Sequence, residues 1–233
     1  MRNRLVRWVV GGLGDILVTA GLVLLLFVAW QLWWTDVEAN RAQSGTVQQL
    51  TRDFARGAPA ASGPARVQPA PMQFGKAFAI LRIPRLGADY ARPVFQGTDY
   101  ATLQEGVGHY DGTAAAGQIG NMALAGHRTT YGRPFHDIDR LVKGDRIIVE
   151  TKSGYSVYAV ERHDIVAPTA VEVVAPVPEK PGARPNAAYL TLTACHPKYS
   201  AAQRYVVFAK LVRTYPRAGG LPAGALQVPG KKA

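Results

Sequence analysis

The sequence predicts a mainly β domain, closed or nearly closed into a barrel, behind one N-terminal transmembrane helix. Three observations support this prediction. An uncharged stretch of 19 residues lies near the N-terminus, six to eight strand-like segments occupy about 140 central residues, and helical signals among them are few and short. Many short strands separated by turn residues are typical of β-barrels.

Composition limits the class of protein. The chain has 233 residues, of which 48% are hydrophobic, and 27 Lys and Arg against 16 Asp and Glu give it a net charge of +11. This length predicts one domain with appendages, and the apolar content excludes a disordered chain. The single cysteine, Cys195, excludes an intramolecular disulfide framework and any multi-thiolate metal site. It remains open as a buried filler, a reactive thiol or an intermolecular crosslink.

The uncharged stretch at 16–34 predicts the membrane anchor. Its 19 residues span roughly 28 Å as a helix, about the thickness of a hydrocarbon core. Tryptophans mark its end and arginines precede it, which places the N-terminus in the cytoplasm and the rest outside the cell: Trp30, Trp33, Trp34, Arg2, Arg4 and Arg7. The alternatives are a cleaved signal peptide, whose apolar region is usually shorter, and a buried core helix.

The remaining organisation follows from composition. The polar segment 35–56 predicts a helix or stalk, the Pro/Ala/Gly-rich segment 57–73 an extended tether, and the basic tail disorder. The predicted units are the cytoplasmic N-terminus 1–15, the anchor 16–34, the stalk and linker 35–73, the folded domain 74–215 and the tail 216–233.

Within the folded domain, apolar alternation and Gly or Pro boundaries predict the strands. The segment 145–166 predicts a hairpin because its two halves flank Lys-Ser-Gly. The other predicted strands are 78–83, 88–96, 120–127, 187–195 and 204–212, and the two helical segments are 100–105 and 134–141.

Cys195 ends the alternating strand 187–195, because Pro197 cannot continue a central ladder. The thiol is therefore expected near the surface. A nucleophilic thiol also needs a nearby base and donors for an oxyanion.

The chain offers several residues for those roles. His127 follows a predicted strand and precedes a turn-like segment, as Cys195 does. His196 is adjacent to Cys195 but points to the opposite strand face, and His109 is expected on a loop. Arg204 begins the next strand, so an antiparallel pairing brings its guanidinium near Cys195. Taken singly, each of these residues also reads as an ordinary surface or capped side chain.

Three segments together resemble a known family. TLTACHPKYSAAQR is similar to the sortase signature TL-x-TC followed within about a dozen residues by arginine. GNMALAGHRTTYGRPFHDID resembles the segment around the sortase histidine, in the form found in class E sortases of high-GC Gram-positive bacteria, and LQEGVGHYDGT resembles the family's upstream segment. The resemblance covers roughly residues 76–213.

The resemblance implies an eight-stranded β-barrel and a cysteine transpeptidase without metal or organic cofactor. Cys195, His127 and Arg204 stand at the positions of the family's nucleophile, acid–base group and oxyanion donor, with the backbone N–H of His196 as a second donor. The implied reaction cleaves an LAxTG- or LPxTG-type sorting signal of a secreted protein between Thr and Gly. The Thr carboxyl then joins an amine on a peptidoglycan precursor such as lipid II.

Two positions bear on the substrate. Ala194 stands where the family usually has threonine, so a strand-end hydroxyl is missing and altered activity is expected. Tyr110 matches a family tyrosine that favours Ala over Pro in the sorting motif by hydrogen-bonding a backbone amide that proline lacks. A packed loop aromatic is the alternative for Tyr110.

The net charge of +11 is expected to favour membrane lipid headgroups and cell-wall polymers rather than nucleic acid, since the domain is exported. Two other functions remain open. One is a pilin-polymerising or mainly hydrolytic sortase. The other is a non-catalytic barrel that binds sorting signals or cell wall, for which Ala194 is the only residue in favour.

Overall fold

The computed structural model describes residues 2–56 and 72–226. Most of the tether predicted at 57–73 and the last part of the tail predicted at 216–233 therefore lie outside the described residues. Two helices and eight strands are described: α1 Arg2–Arg56, α2 Tyr100–Glu105, β1 Ala77–Arg82, β2 Ala91–Gln96, β3 Val107–His109, β4 Gly120–Ala125, β5 Arg146–Thr151, β6 Gly154–Val166, β7 Ala188–His196 and β8 Gln203–Pro216.

The eight strands form a closed barrel in the order β1-β2-β3-β4-β7-β8-β6-β5, which confirms the predicted fold class. The β2–β3 and β4–β7 pairs are parallel, and the other pairs are antiparallel. The β6–β8 pair runs the whole length of β6 and bends at two register shifts. The second half of β6, beyond its pairing with β5, pairs with β8 alone.

Side-chain alternation separates the inside of the barrel from its outer face. In β7, Leu190, Leu192 and Ala194 are 0–3% exposed and belong to the main hydrophobic core. The intervening Thr193 and Cys195 therefore point to the outer face. The Cys195 thiol thus lies outside the core and is half-buried.

Two local predictions were wrong. His109 was expected on a loop, but it ends β3 and is fully buried, with hydrogen bonds to Gln96 Oε1 at 2.7 Å and to the Ala114 carbonyl at 3.1 Å. A strand of three residues is too short to show alternation in the sequence. The helix expected at 134–141 is only a 3₁₀ turn, Ile138–Arg140, because the backbone N–H groups of this segment bond to carbonyls three residues earlier instead of four.

Helix α1 is continuous through the predicted anchor and stalk. It is long and apolar enough to cross a membrane, and its apolar window is not buried against the barrel. Leu50 and Phe54 on the stalk are 9% and 4% exposed, because they pack with Ile80 of β1. The stalk, residues 35–56, is therefore docked on the barrel.

The start of the predicted tail also differs from expectation. Arg217 donates from Nη1 to Glu150 Oε1 at 2.8 Å and lies over the rings of Phe54 and Tyr155. Its side chain is 10% exposed. These contacts order the chain just after β8, and further short turns extend to Leu226.

Candidate active site

Three adjacent strands bring together the residues that the sequence singled out. Cys195 on β7 is the register partner of Arg204 on β8. On the other side, β4 runs parallel to β7 with Ala125 paired to Thr193, and the Gly126 amide continues the ladder to the Thr193 carbonyl at 3.1 Å. Two residues further along each strand direction are His127 and Cys195.

The same register places Cys195 and Arg204 on one face. Paired residues of neighbouring strands point the same way, and alternate residues of a strand share a face. Tyr205 next to Arg204 is in the core, as Ala194 next to Cys195 is, so Arg204 and Cys195 both face outward. His127 follows Gly126, whose amide continues the ladder, and we infer that its side chain keeps the outward parity of Ala125. We call His127, Cys195 and Arg204 the outer-face row; neighbouring strands lie about 4.8 Å apart.

His127 is half-buried. Burial lowers the pKa of its imidazole, so the neutral ring predominates at neutral pH. Its Nε2 is buried and has no hydrogen-bond partner among residues 2–56 and 72–226. The ring of Tyr131 lies over it with 5.1 Å between centroids. A neutral imidazole with a free nitrogen can accept a proton from a thiol.

Cys195 is a free, half-buried thiol. It lies at the end of β7, where the ladder opens toward the loop that leads to β8. Ala194, predicted as a substrate contact, is 3% exposed and belongs to the core. Its methyl group therefore offers almost no surface to a ligand, and a threonine in its place would have to put a hydroxyl into apolar surroundings.

Arg204 is held by the loop before it. Its Nη1 donates to the carbonyl oxygens of Ala201 and Gln203, both at 2.9 Å. Within the described part of the chain these are its only side-chain hydrogen bonds, so Nε and Nη2 remain available for an oxyanion. A guanidinium fixed in this way needs little reorganisation when charge develops beside it.

Tyr110 lies along the same outer face. Its hydroxyl is 3.1 Å from Thr193 Oγ1, and its backbone N–H donates to the Ala123 carbonyl at 3.0 Å. Thr193 is two residues before Cys195 on β7 and shares its face. The tyrosine hydroxyl therefore lies beside the strand that carries Cys195.

His196 points away from the outer-face row, as its position after Cys195 predicts. Its Nδ1 accepts a hydrogen bond from Arg128 Nη1 at 2.9 Å. Arg128 is almost fully buried, pairs with Asp139 at 2.9 Å and lies over the ring of Tyr205 at 5.4 Å. Arg128, which follows His127, is therefore bonded directly to His196, which follows Cys195.

Sequence reasoning did not single out Arg128 or Tyr131. Both lie in the quoted segment around His127, so the motif contained the signal, but their contacts depend on strands that are distant in the chain. The described residues contain no group of three or more His, Cys, Asp or Glu side chains arranged to hold a metal ion.

Comparison with known proteins gives one consistent family. The sortase domain family matches residues 81–212, which include the whole outer-face row. Sortase SrtE1 of Streptomyces coelicolor is 38% identical over 218 residues, which cover 90% of this chain and 59% of that protein. Sortase SrtE2 of the same organism is 36% identical over 221 residues, which cover 91% of this chain and 85% of that protein. The chain thus spans less than two thirds of the length of the first relative.

Solved structures agree with the sequence comparison. The structure of sortase E from Streptomyces avermitilis is 41% identical with a TM-score of 0.60, covering 66% of this chain and 99% of that one. SrtA sortase from Actinomyces oris is 37% identical with a TM-score of 0.64, covering 70% of this chain and 95% of that one. The match in sequence extends over more than half of the chain and the match in structure includes the closed barrel. This chain belongs to the sortase family.

Proposed function

We propose that this protein is a membrane-anchored sortase that cleaves an LAxTG- or LPxTG-type sorting signal between Thr and Gly. It then joins the Thr carboxyl to an amine of a cell-wall precursor such as lipid II. The observation that supports this proposal is the outer-face row: the free thiol of Cys195 is the register partner of Arg204, and the neighbouring strand β4 leads directly to His127.

The first half of the reaction forms a thioacyl intermediate. Cys195 Sγ attacks the Thr carbonyl carbon while its proton passes to His127. The resulting oxyanion is stabilised by Arg204, with the His196 backbone N–H proposed as a second donor. The intermediate collapses, the bond from the Thr carbonyl to the Gly nitrogen breaks, and the imidazolium of His127 gives its proton to the leaving amine.

The second half transfers the acyl group. An incoming amine attacks the thioester and loses a proton to His127. The carbon–sulfur bond then breaks, and the proton returns to the Cys195 sulfur. No redox change occurs, and water in place of the amine gives hydrolysis. Partial burial of His127 favours attack by the amine over attack by water, since exclusion of water suppresses hydrolysis.

The docked stalk supports substrate delivery at the membrane. Trp34 ends the predicted anchor, and Asp36 accepts a hydrogen bond from the Gly132 amide beside the site at 3.1 Å. Two residues of helix rise only about 3 Å. The end of the barrel that carries His127 therefore faces the membrane surface, from which a sorting signal and a lipid-linked acceptor would both approach.

The test uses the full chain in lipid nanodiscs. It is incubated with LAxTG and LPxTG peptides, with triglycine, with a lysine-containing peptide, or without acceptor, and protein and peptides are followed by mass spectrometry. We expect an acyl adduct on Cys195, cleavage between Thr and Gly, and a triglycine-joined product. The Cys195→Ala variant is the matched control.

Each outcome separates the alternatives. Joining only to the lysine peptide would favour the pilin-polymerising alternative, and cleavage without joining would favour a hydrolytic enzyme. Peptide binding by a folded protein without adduct or cleavage would refute the catalytic proposal and leave the binding barrel.

A further inference from the structure

The loop after His127 contains a turn with an unfavourable backbone. Tyr131, Gly132 and Arg133 have φ angles of 53°, 73° and 49°, so three successive residues lie in the left-handed region. This region is disfavoured for residues that carry a Cβ atom, and two of the three do. Such a conformation persists only where surrounding contacts hold it. We call these residues the 131–133 turn.

The stalk supplies those contacts. Gln43 is 1% exposed, and its Nε2 donates to the Tyr131 carbonyl at 3.0 Å. Asp36 accepts from the Gly132 amide at 3.1 Å and pairs with Arg133 Nε at 2.9 Å. Two side chains on one face of α1 therefore bind the backbone or side chain of every residue of the 131–133 turn.

The fit at the centre of the turn is tight, so a side chain in place of Gly132 would have to displace its neighbours by a few tenths of an ångström. A Cβ atom on Gly132 would lie 3.0 Å from Gln43 Nε2 and 3.2 Å from Asn40 Oδ1. Arg92 of β2 connects the stalk and the turn to the barrel. Its Nη1 donates to Asn40 Oδ1 at 2.7 Å, and its Nη2 donates to the Gly132 carbonyl at 3.1 Å. Specific polar contacts thus join the helix, the barrel and the turn.

The turn presents Tyr131 to the site. The ring lies over His127 with 5.1 Å between centroids, and its hydroxyl is 2.6 Å from that of Tyr100 on α2. Position and burial of His127 therefore depend on a turn whose backbone is held from outside the barrel.

We infer that Gln43 and Asp36 of the stalk are positioning residues for the reaction, which hold the 131–133 turn so that Tyr131 covers His127. The inference rests on the proposed acid–base role of His127. On this inference the stalk, which continues the anchor helix, also positions a residue of the active site. Catalytic activity then depends on the same helix that attaches the protein to the membrane.

The experiment compares Gln43→Ala with Gln48→Ala in the full chain in nanodiscs. Both residues are glutamines on the stalk, but Gln48 is exposed, so it is a matched control. We expect Gln43→Ala to lower kcat for sorting-peptide cleavage about ten- to a hundredfold, as misplacement of a catalytic group does. The acidic limb of kcat/KM should move to higher pH, because an uncovered imidazole is better solvated. Gln48→Ala should keep wild-type values of both.

A second readout does not require activity. Diethylpyrocarbonate acylates neutral, accessible imidazoles, and peptide mass spectrometry resolves His127 from the other four histidines. We expect several-fold faster modification of His127 in Gln43→Ala than in the wild-type protein or Gln48→Ala, with the rate at His163 unchanged. If the wild-type protein proves inactive, the proposed function fails while this rate still decides the positioning role.

A double-mutant cycle tests whether Gln43 acts through Tyr131. Tyr131→Ala should give the same shift of the pH profile, and adding Gln43→Ala to it should change little more. Asp36→Asn, which keeps the size of the side chain, serves if Gln43→Ala does not fold, and it should shift the profile in the same direction. Wild-type kcat, pH profile and His127 modification in a folded Gln43→Ala or Asp36→Asn protein would overturn the inference, even if the melting temperature falls.

Discussion

Replacing Arg128 by methionine is expected to weaken both the barrel and the site. The substitution keeps an unbranched apolar stem but removes the guanidinium. Lost with it are the hydrogen bond to His196 Nδ1 at 2.9 Å, the ion pair with Asp139 at 2.9 Å and the contact with the ring of Tyr205 at 5.4 Å.

The magnitude follows from these contacts. A hydrogen bond from a charged donor contributes about 1.5–3 kcal/mol, and a cation–π contact about 1 kcal/mol. The ion pair adds only about 0.5 kcal/mol, because the Asp139 side chain is 43% exposed. Removing a guanidinium whose side chain is 2% exposed also relieves its desolvation, which offsets part of the loss. The net cost is about 2 kcal/mol, or about 4–8 °C in melting temperature.

The assay is thermal unfolding of the full chain in detergent, together with kcat for peptide cleavage. We expect kcat to fall about tenfold, because the His196 side chain is no longer bonded to the loop after His127. Arg140→Met is the control, since Arg140 is exposed and pairs with Asp137 only at 3.7 Å. An Arg128→Met protein that melts and turns over as the wild-type protein does would refute this reasoning.

Four further predictions concern single groups. Because burial lowers the pKa of His127, its imidazole binds a proton more readily in the unfolded chain than in the folded one. The contribution of His127 to the free energy of unfolding should therefore be constant above a pH of about 6.5 and fall as the pH drops below that value. The acidic limb of the kcat/KM profile should also lie below a pH of about 6.5. Arg204→Lys should lower kcat about 10²–10³-fold in peptide cleavage with little change in KM, because the ammonium lacks the fork of donors. Tyr110→Phe should lower the preference for LAxTG over LPxTG peptides about three- to tenfold, as loss of one neutral hydrogen bond does. Phe54→Ala should destabilise the folded chain by about 3 kcal/mol in chemical unfolding, because Phe54 is 4% exposed between Ile80 and Arg217.

Each of these four predictions has a result that would contradict it. An acidic limb at or above pH of about 6.5 would show that burial does not control His127. An unchanged kcat in Arg204→Lys would remove the oxyanion role. An unchanged peptide preference in Tyr110→Phe would leave that residue as a packed aromatic. Wild-type unfolding of Phe54→Ala would mean that the stalk is not docked, whereas the exposed Val171→Ala should leave unfolding unchanged.

Local patterning was enough to predict most of the barrel. Strands β1, β2 and β4–β8 each carry apolar alternation or an apolar run bounded by Gly or Pro, and α2 was predicted with the bounds the structure has. The three-residue β3 was not predicted, because it is defined by its pairing with β2 and β4 and not by a pattern in its own sequence. The segment Pro134–Leu141 was predicted as a helix, because its buried residues pack against distant parts of the chain and the sequence pattern does not record those contacts.

By itself, the sequence determined that a mainly β domain follows one apolar helix, and it marked His127, Cys195 and Arg204 as the residues on which chemistry would depend. Strand periodicity, membrane-length apolar runs and short motifs are local properties, so they are readable without coordinates. Only the tertiary structure decided that Cys195 and Arg204 are register partners beside the strand that leads to His127, that Arg128 bonds to His196, and that the stalk binds the 131–133 turn. Those facts depend on register and on contacts between segments as distant as residues 36 and 133, which no local pattern records.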